Sequence, residues 1–168
     1  LDFGSLESIP VEEFLGSAHW QLYKGIESPY KTILKLLLSE AYAQEYPHIR
    51  WLCQEAKSAI YSGDVDLYRL DPYLLMYQRV EQYLQSRGEH ERVELARRCL
   101  YFKSEQILSH ETRRPRDDWK REMLQQLTRN WGWQRGDLLN LDARQNWKID
   151  QVMDERNHLV RELHHSYR

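Results

Sequence analysis

The sequence is poor in the residues that define specialised folds. It contains 2 cysteines, 7 glycines and 5 prolines in 168 residues, which excludes a disulfide-stapled scaffold and a collagen-like chain. Cys53 and Cys99 lie far apart among apolar neighbours, which predicts two buried thiols rather than a bridge or a pair of metal ligands. Free thiols are typical of a reducing compartment.

Long apolar runs are also missing. A membrane-spanning helix needs about 20 consecutive apolar residues, whereas the run of Leu36, Leu37 and Leu38 is soon followed by Ser39 and Glu40. The opening residues carry acids where a signal peptide has a basic start and an apolar run. The sequence therefore predicts no membrane span and no signal peptide. Because it does not begin with Met, we expect a segment of a longer protein.

Charge of one sign is not in excess. The net charge is -2, with 41% hydrophobic and 30% charged residues, a composition typical of globular proteins. This balance gives no support for a nucleic acid partner. A chain of this length generally forms one core, so we expect residues 1–168 to be a single domain.

Helical periodicity recurs along the chain, whereas strand-like alternation of β-branched residues is nearly absent. The sequence therefore predicts an all-α fold, a single bundle of about seven mostly antiparallel helices with short connections. Start and stop signals place a turn at residues 137–141, with Asp142 capping the last helix. The predicted helices are residues 10–26, 29–47, 48–62, 72–88, 89–109, 117–132 and 142–168.

Apolar residues at helical spacing define the predicted inner faces. The second helix buries Tyr30, Ile33, Leu34, Leu37 and Ala41. The fourth and sixth bury Tyr73, Met76, Tyr77, Val80, Leu84, Trp119, Met123, Leu124, Leu127 and Trp131. In the last helix the same spacing selects Ile149, Val152, Leu159 and Leu163.

Two patterns have metal-site spacing but are predicted to be structural. Asp64-Val65-Asp66 has the spacing of an acidic pair that holds magnesium, but it lies in a turn between helices rather than on a strand. Glu155 with His158, and Glu162 with His165, have the acid-to-histidine spacing of half a di-iron site. Helical phase turns these residues away from the predicted inner face, so we expect a hydrated surface and no metal site.

Arg156 falls within the apolar stripe of the last helix, where a charge has to pair or extend to water. Arg156 is predicted either to pair with an acid of another helix or to lie where the apolar stripe meets a further part of the protein.

The start of the second helix is the main candidate for a binding site. Ser28, Tyr30, Lys31 and Lys35 lie in its first two turns, and Lys24 shortly precedes it. Cations beside a helix N-terminus suit a phosphate, and an aromatic ring suits a base. The alternative is that the lysines are simply hydrated. No Ser-His-Asp, Cys-His or glycine-rich phosphate loop is visible, so the sequence gives no support for covalent catalysis.

Several stretches resemble class I adenylate cyclases of gamma-proteobacteria. They occur in the family's order, cover nearly the whole chain, and include tryptophan-rich segments that are rare by composition. The matching stretches are Trp20 to Lys24, Ser28 to Lys31, Glu40 to Tyr42, Glu45 to Pro47, Leu70 to Tyr73, Arg97 to Cys99, Asn130 to Trp133, Leu141 to Asp142 and Asn146 to Val152.

The resemblance implies a cytoplasmic enzyme that converts ATP into cyclic AMP and pyrophosphate with magnesium. The family's catalytic head, a polymerase-β-type nucleotidyltransferase domain, lies upstream of the matched segment. Its Gly-Ser turn and Asp-x-Asp pair match no position here, and Asp64 and Asp66 align with a linker. We therefore expect no catalytic residue and no magnesium site in this chain, which alone should be inactive. The family's regulatory region, which responds to the glucose-specific phosphocarrier of the sugar phosphotransferase system, also lies outside the match.

In related nucleotidyltransferases a helical domain after the head closes one side of the nucleotide cleft. By that analogy Lys24, Ser28, Tyr30, Lys31 and Lys35 are expected to face the triphosphate or adenine of ATP in the full enzyme. The alternative is an interaction module that links the head to the regulatory region and touches no nucleotide.

Overall fold

The computed structural model describes residues 9–10, 12–24, 28–63, 70–110, 118–146 and 149–167. Within these ranges the chain forms eight α-helices and no strand, which confirms the all-α prediction and adds one helix to the predicted seven. The helices are α1 (Glu12–Lys24), α2 (Pro29–Glu45), α3 (Leu52–Tyr61), α4 (Pro72–Ser86), α5 (His90–Ser104), α6 (Asp118–Asn130), α7 (Arg135–Asp142) and α8 (Ile149–Tyr167).

The additional helix is α7, in a segment where the sequence predicted only a turn. A capping box stabilises its start, because the Gln134 backbone N–H donates to Asp137 Oδ2 at 2.7 Å and the Gln134 side chain accepts a bond in return. Asp142, predicted to cap the last helix, instead ends α7. Its carboxylate accepts hydrogen bonds from the Tyr101 hydroxyl at 2.7 Å and the Ser109 N–H at 2.9 Å, which tie α7 to the end of α5.

The helices α3 and α5 are each shorter in the structure than predicted. α5 ends at Ser104 rather than at residue 109, because Glu105 adopts a left-handed φ of 57° that stops the helix. α3 begins at Leu52 rather than at residue 48. The Leu52 N–H donates to the Tyr42 hydroxyl at 3.1 Å, so a side chain of α2 supports the first turn of α3.

α2 is the centre of the fold. It packs against α1, α4, α5 and α8, and it is buried on most sides through Thr32, Ile33, Leu34, Leu36, Leu37 and Ala41. The inner faces predicted for the second, fourth and sixth helices are confirmed where they meet this core. Tyr77, Val80, Leu84 and Leu124 are fully buried, and Tyr30, Tyr73, Met76, Met123, Leu127 and Trp131 pack partly buried around them.

The last helix is rotated relative to the prediction. Leu159 is buried as expected, but Glu162, predicted to be hydrated, is also buried at 6% exposure. Arg92 of α5 donates to Glu162 Oε1 at 2.6 Å, so charge pairing as well as apolar spacing sets the orientation of α8. Arg156, predicted to lie within the inner stripe, is exposed.

The prediction that Glu155 and His158 of α8 face water is also wrong in part. His158 Nδ1 lies 3.0 Å from Arg98 Nη2, and Glu155 Oε2 lies 3.8 Å from the same atom, whereas His165 is exposed as expected. Across the ranges given above, no three His, Cys, Asp or Glu side chains are placed to hold a metal ion. The predicted turn at residues 64–66 lies outside the described residues.

The two cysteines differ in surroundings. Cys99 is buried as predicted, but Cys53 is exposed. The prediction for Cys53 was wrong because α3 buries none of its residues. Its apolar neighbours in the sequence do not surround it in the fold. None of the helices described is both long and apolar enough to cross a bilayer.

Candidate functional site

The start of α2 joins the end of α1. Ser28 is the residue before the first turn of α2, and its N–H donates to the Lys24 carbonyl at 3.2 Å. Its hydroxyl makes no capping hydrogen bond to the helix. The fold therefore brings Lys24 and Ser28 together, as the sequence predicted for a site at this position.

The five predicted site residues nevertheless lie in three different surroundings. Lys24 is exposed, and its Nζ lies 5.5 Å from the Trp20 ring and 6.0 Å from the Tyr23 ring on the outer face of α1. Tyr30 points instead toward α5, where its ring centroid lies 4.5 Å from that of Phe102. These two residues do not share one site.

Tyr30 belongs to the packed body rather than to an open surface. Burial, followed by the nearby Glu155 carboxylate, raises the pKa of Tyr30 to about 12. Its hydroxyl therefore stays protonated at neutral pH.

Lys31 and Lys35 lie one turn apart on the same flank of α2, and both are half-buried. Within the described part of the chain, neither lysine takes part in an ion pair. Half-buried ammonium groups without a carboxylate partner can accept an external anion, because the cost of partial desolvation has already been met by folding.

Lys35 opens into a groove between α1 and α2, which we call the α1–α2 groove. Its volume is about 720 Å³. α1 contributes Glu13, Phe14, Ser17 and Gln21, α2 contributes Lys35, Leu38, Ser39 and Tyr42, and Trp51 and Met76 close one end. Lys31 and Tyr30 do not line it.

Aromatic rings form one end of the α1–α2 groove. Phe14 and Trp51 are nearly parallel, with ring centroids 6.3 Å apart, and Tyr42 meets Trp51 edge-on at 5.0 Å. The bond from the Leu52 N–H fixes the Tyr42 hydroxyl, and burial raises the pKa of Tyr42. No pattern in the sequence indicated that Phe14 and Trp51 would meet Tyr42 there.

A second polar cluster, which sequence reasoning missed, centres on Arg92. Its guanidinium donates to Glu40 at 2.6 and 3.0 Å, to Glu89 at 2.6 Å and to Glu162 at 2.6 Å. Tyr83 donates to Glu40 at 2.9 Å. This cluster joins α2, α5 and α8 through mutually satisfied groups, so its role is structural.

The fold and the groove define an all-helical domain, and no three His, Cys, Asp or Glu side chains among the described residues are placed to hold a metal ion. The family described as "Adenylate cyclase, class-I, second domain" matches residues 9–168. The chain belongs to this family.

Named relatives agree with the family match. The chain is 46% identical over 168 residues to an adenylate cyclase of Salmonella typhimurium, 45% identical to one of Escherichia coli K12, and 40% identical over 169 residues to one of Proteus mirabilis. All of this chain is covered in each comparison, and it spans about 20% of the relatives' length. No solved structure matches the chain.

Proposed function

We propose that the chain is a helical domain of an adenylate cyclase that converts ATP into cyclic AMP and pyrophosphate, and that it supports the nucleotide cleft of a catalytic domain elsewhere in that enzyme. The observation that carries the cleft role is the pair of half-buried lysines, Lys31 and Lys35, without carboxylate partners among the described residues. Both project from α2, which packs against four other helices and so holds them in place.

The chemistry gives these cations a defined task. Cyclisation is attack of the ribose 3′ hydroxyl on the α-phosphorus, with pyrophosphate leaving, and the developing charge lies on phosphate oxygens. Fixed ammonium groups beside those oxygens stabilise the transition state. Lys24 and Ser28, joined by a backbone hydrogen bond at the junction of α1 and α2, would extend the same edge, whereas Tyr30 would act only by anchoring α2 against α5.

The reactive groups and magnesium belong to the proposed catalytic domain. The acids that line the described surfaces offer no set of three that could hold a metal ion, so no step of the reaction is assigned to this chain. The same proposal includes a cytoplasmic enzyme and regulation by the phosphocarrier of the sugar phosphotransferase system. The sequence resemblance supports both.

Kinetics of the full-length enzyme test the cleft role. We expect Lys31→Ala or Lys35→Ala to raise the KM for ATP or to lower kcat by about tenfold, the value of one charge-assisted contact. Lys57→Ala, on the exposed surface of α3, is the matched control and should change neither constant. Unchanged kinetics in both α2 variants would exclude the cleft role.

A second candidate function is an interaction module that touches no nucleotide. The exposed outer face of α1 favours it, because Leu15, Trp20 and Tyr23 are 53%, 58% and 66% exposed. Exposed aromatic side chains are enriched where proteins associate. Trp20→Ser with Tyr23→Ser in the full-length enzyme separates the candidates: loss of activity with an unchanged KM for ATP supports docking, and no effect excludes it.

Complementation tests the activity itself. The parent gene should restore cyclic AMP to a cyclase-null bacterium, and this 168-residue chain alone should not. Failure of the parent gene would contradict the proposed activity.

A further inference from the structure

We propose that the α1–α2 groove binds a purine nucleotide that carries a single negative charge, and that its ligand is cyclic AMP, the product, rather than ATP. The ligand's identity rests on the proposed function. The binding site itself rests on the groove, which shares Lys35 but not Lys31 with the proposed cleft role.

The size of the groove suits a nucleotide. Small-molecule sites generally occupy roughly 300–1,000 Å³ and combine apolar walls with a few polar groups. The α1–α2 groove has a volume of about 720 Å³ and follows this pattern. Leu38 and Met76 supply apolar wall, and Ser17, Gln21 and Ser39 supply hydrogen-bonding groups for a base or a sugar.

The aromatic end of the groove suits a planar base. The ring centroid of Trp51 lies 6.3 Å from that of Phe14 and 5.0 Å from that of Tyr42. Stacking of a base on aromatic rings contributes about 1–3 kcal/mol and tolerates any base. The groove therefore has a place for adenine that the exposed Trp20 and Tyr23 rings, which lie on the outer face of α1, do not provide.

The charge of the groove selects among adenine nucleotides. Lys35 is its one cationic lining residue in the described part of the chain, and Glu13 on the α1 wall is its anionic one. Lys35 matches the single charge of a cyclic phosphodiester. The triphosphate of ATP would bring several further charges near Glu13 without cations to match them, which disfavours ATP.

Calorimetric titration of the 168-residue chain with cyclic AMP, adenosine and ATP tests the inference. Cyclic AMP should bind saturably, and at least about tenfold more tightly than adenosine, because only the nucleotide pairs with Lys35. ATP should bind more weakly than cyclic AMP. Lys35→Met should weaken cyclic AMP at least about tenfold and leave adenosine unchanged, which a merely structural role of Lys35 would not do.

Lys57→Met, on the exposed surface of α3, is the matched charge control and should leave both affinities unchanged. Circular dichroism of each variant confirms that it folds. Absence of saturable heat with millimolar cyclic AMP would overturn the proposal, as would equal affinity in Lys35→Met. Tighter, Lys35-dependent binding of ATP would overturn the product assignment.

The two proposals can fail separately. If cyclic AMP does not bind but Lys31→Ala raises the KM for ATP in the full-length enzyme, the groove proposal is wrong and the cleft role stands. If cyclic AMP binds through Lys35 but the parent gene does not restore cyclic AMP to a cyclase-null bacterium, the groove is a cyclic nucleotide site and the proposed activity is wrong.

Discussion

Two groups of helices are held in place in different ways. We call α2, α4 and α5 the body, and α1 and α3 the periphery. α2, α4 and α5 each bury at least five residues, whereas α1 and α3 bury none. The groove and the exposed aromatic pair both involve the periphery. The packed core and the helices that carry the proposed binding surfaces are therefore different parts of the domain.

Polar contacts show the same division. In the body, ion pairs link different helices: Arg79 with Glu45, Arg92 with Glu40, and Arg97 with Glu81. In the periphery, the described contacts between elements include several between aromatic rings, as between Phe14 and Trp51. Charge-assisted hydrogen bonds fix distance and orientation in the body. We therefore expect substitutions of buried or ion-paired residues in the body to affect stability more than substitutions in the periphery.

Removal of Arg92 should have the largest effect. Arg92→Met leaves Glu40, Glu89 and Glu162 close together without their shared cation, so we expect the free energy of unfolding to fall by about 3–5 kcal/mol. Urea denaturation followed by circular dichroism measures it. Arg87→Met is the control, because its side chain is 48% exposed, and it should cost less than about 1 kcal/mol. Equal losses in the two variants would contradict a special role for the cluster.

Truncation of a core leucine should come next. Leu37 is 0% exposed at the centre of the fold, so Leu37→Ala should cost about 2–5 kcal/mol through lost burial and the cavity that remains. Leu15 of α1 is 53% exposed, and Leu15→Ala should change stability by less than about 0.5 kcal/mol. The same urea experiment gives both values. A large loss for Leu15→Ala would show that α1 belongs to the body after all.

Loss of a helix cap should have a smaller effect. Asp71 Oδ1 accepts hydrogen bonds from the Tyr73 and Leu74 N–H groups, both at 2.9 Å, at the start of α4. Asp71→Ala should therefore cost about 1 kcal/mol. Ser28 holds the same position before α2 without a side-chain bond, so Ser28→Ala should change the urea midpoint little. If Ser28→Ala costs more than Asp71→Ala, cap hydrogen bonds do not explain where these helices start.

The sequence was sufficient to predict the body because its signals are local. Pro29 and Pro72 start α2 and α4 where their fixed φ suits a first turn, and apolar spacing gave the buried faces of both helices. Gly63 and Gly88 stop helices at φ values of 78° and 70°, which only glycine adopts without cost. Short-range chemistry of this kind does not depend on what the segment meets in space.

The failures arise from distant partners or from an element too short to show a pattern. Glu162 is buried because Arg92 lies 70 positions earlier in the chain, and no periodicity within α8 records that. α7 has only 8 residues, too few for a clear apolar stripe. At the candidate site, helical phase correctly paired Lys31 with Lys35, but the groove needs Phe14 and Trp51, which only the folded chain brings to α2.

The smallest predicted effect concerns acid, and it tests whether the ion pairs of the body matter more than charges on its surface. Burial of Glu89 opposes ionisation, but hydrogen bonds from Arg87 and Arg92 outweigh it and lower the pKa of Glu89 below its ordinary 4.5. The unfolded chain therefore takes up the proton first as pH falls. The contacts of ionised Glu89 with Arg87 and Arg92 stabilise the fold above about pH 4.5. This contribution is lost as the pH falls through the lower pKa that Glu89 has in the folded chain.

Glu89→Gln should remove that part of the acid sensitivity. Its urea midpoint should be lower than that of the unaltered chain near neutral pH, and the difference should shrink as the pH is lowered below about 4.5. Glu91→Gln, an exposed neighbour on the same turn of α5, is the matched control and should lower the urea midpoint near neutral pH less than Glu89→Gln does. A constant difference between Glu89→Gln and the unaltered chain across this range would mean that Glu89 acts by packing, and that acid sensitivity of the body arises elsewhere.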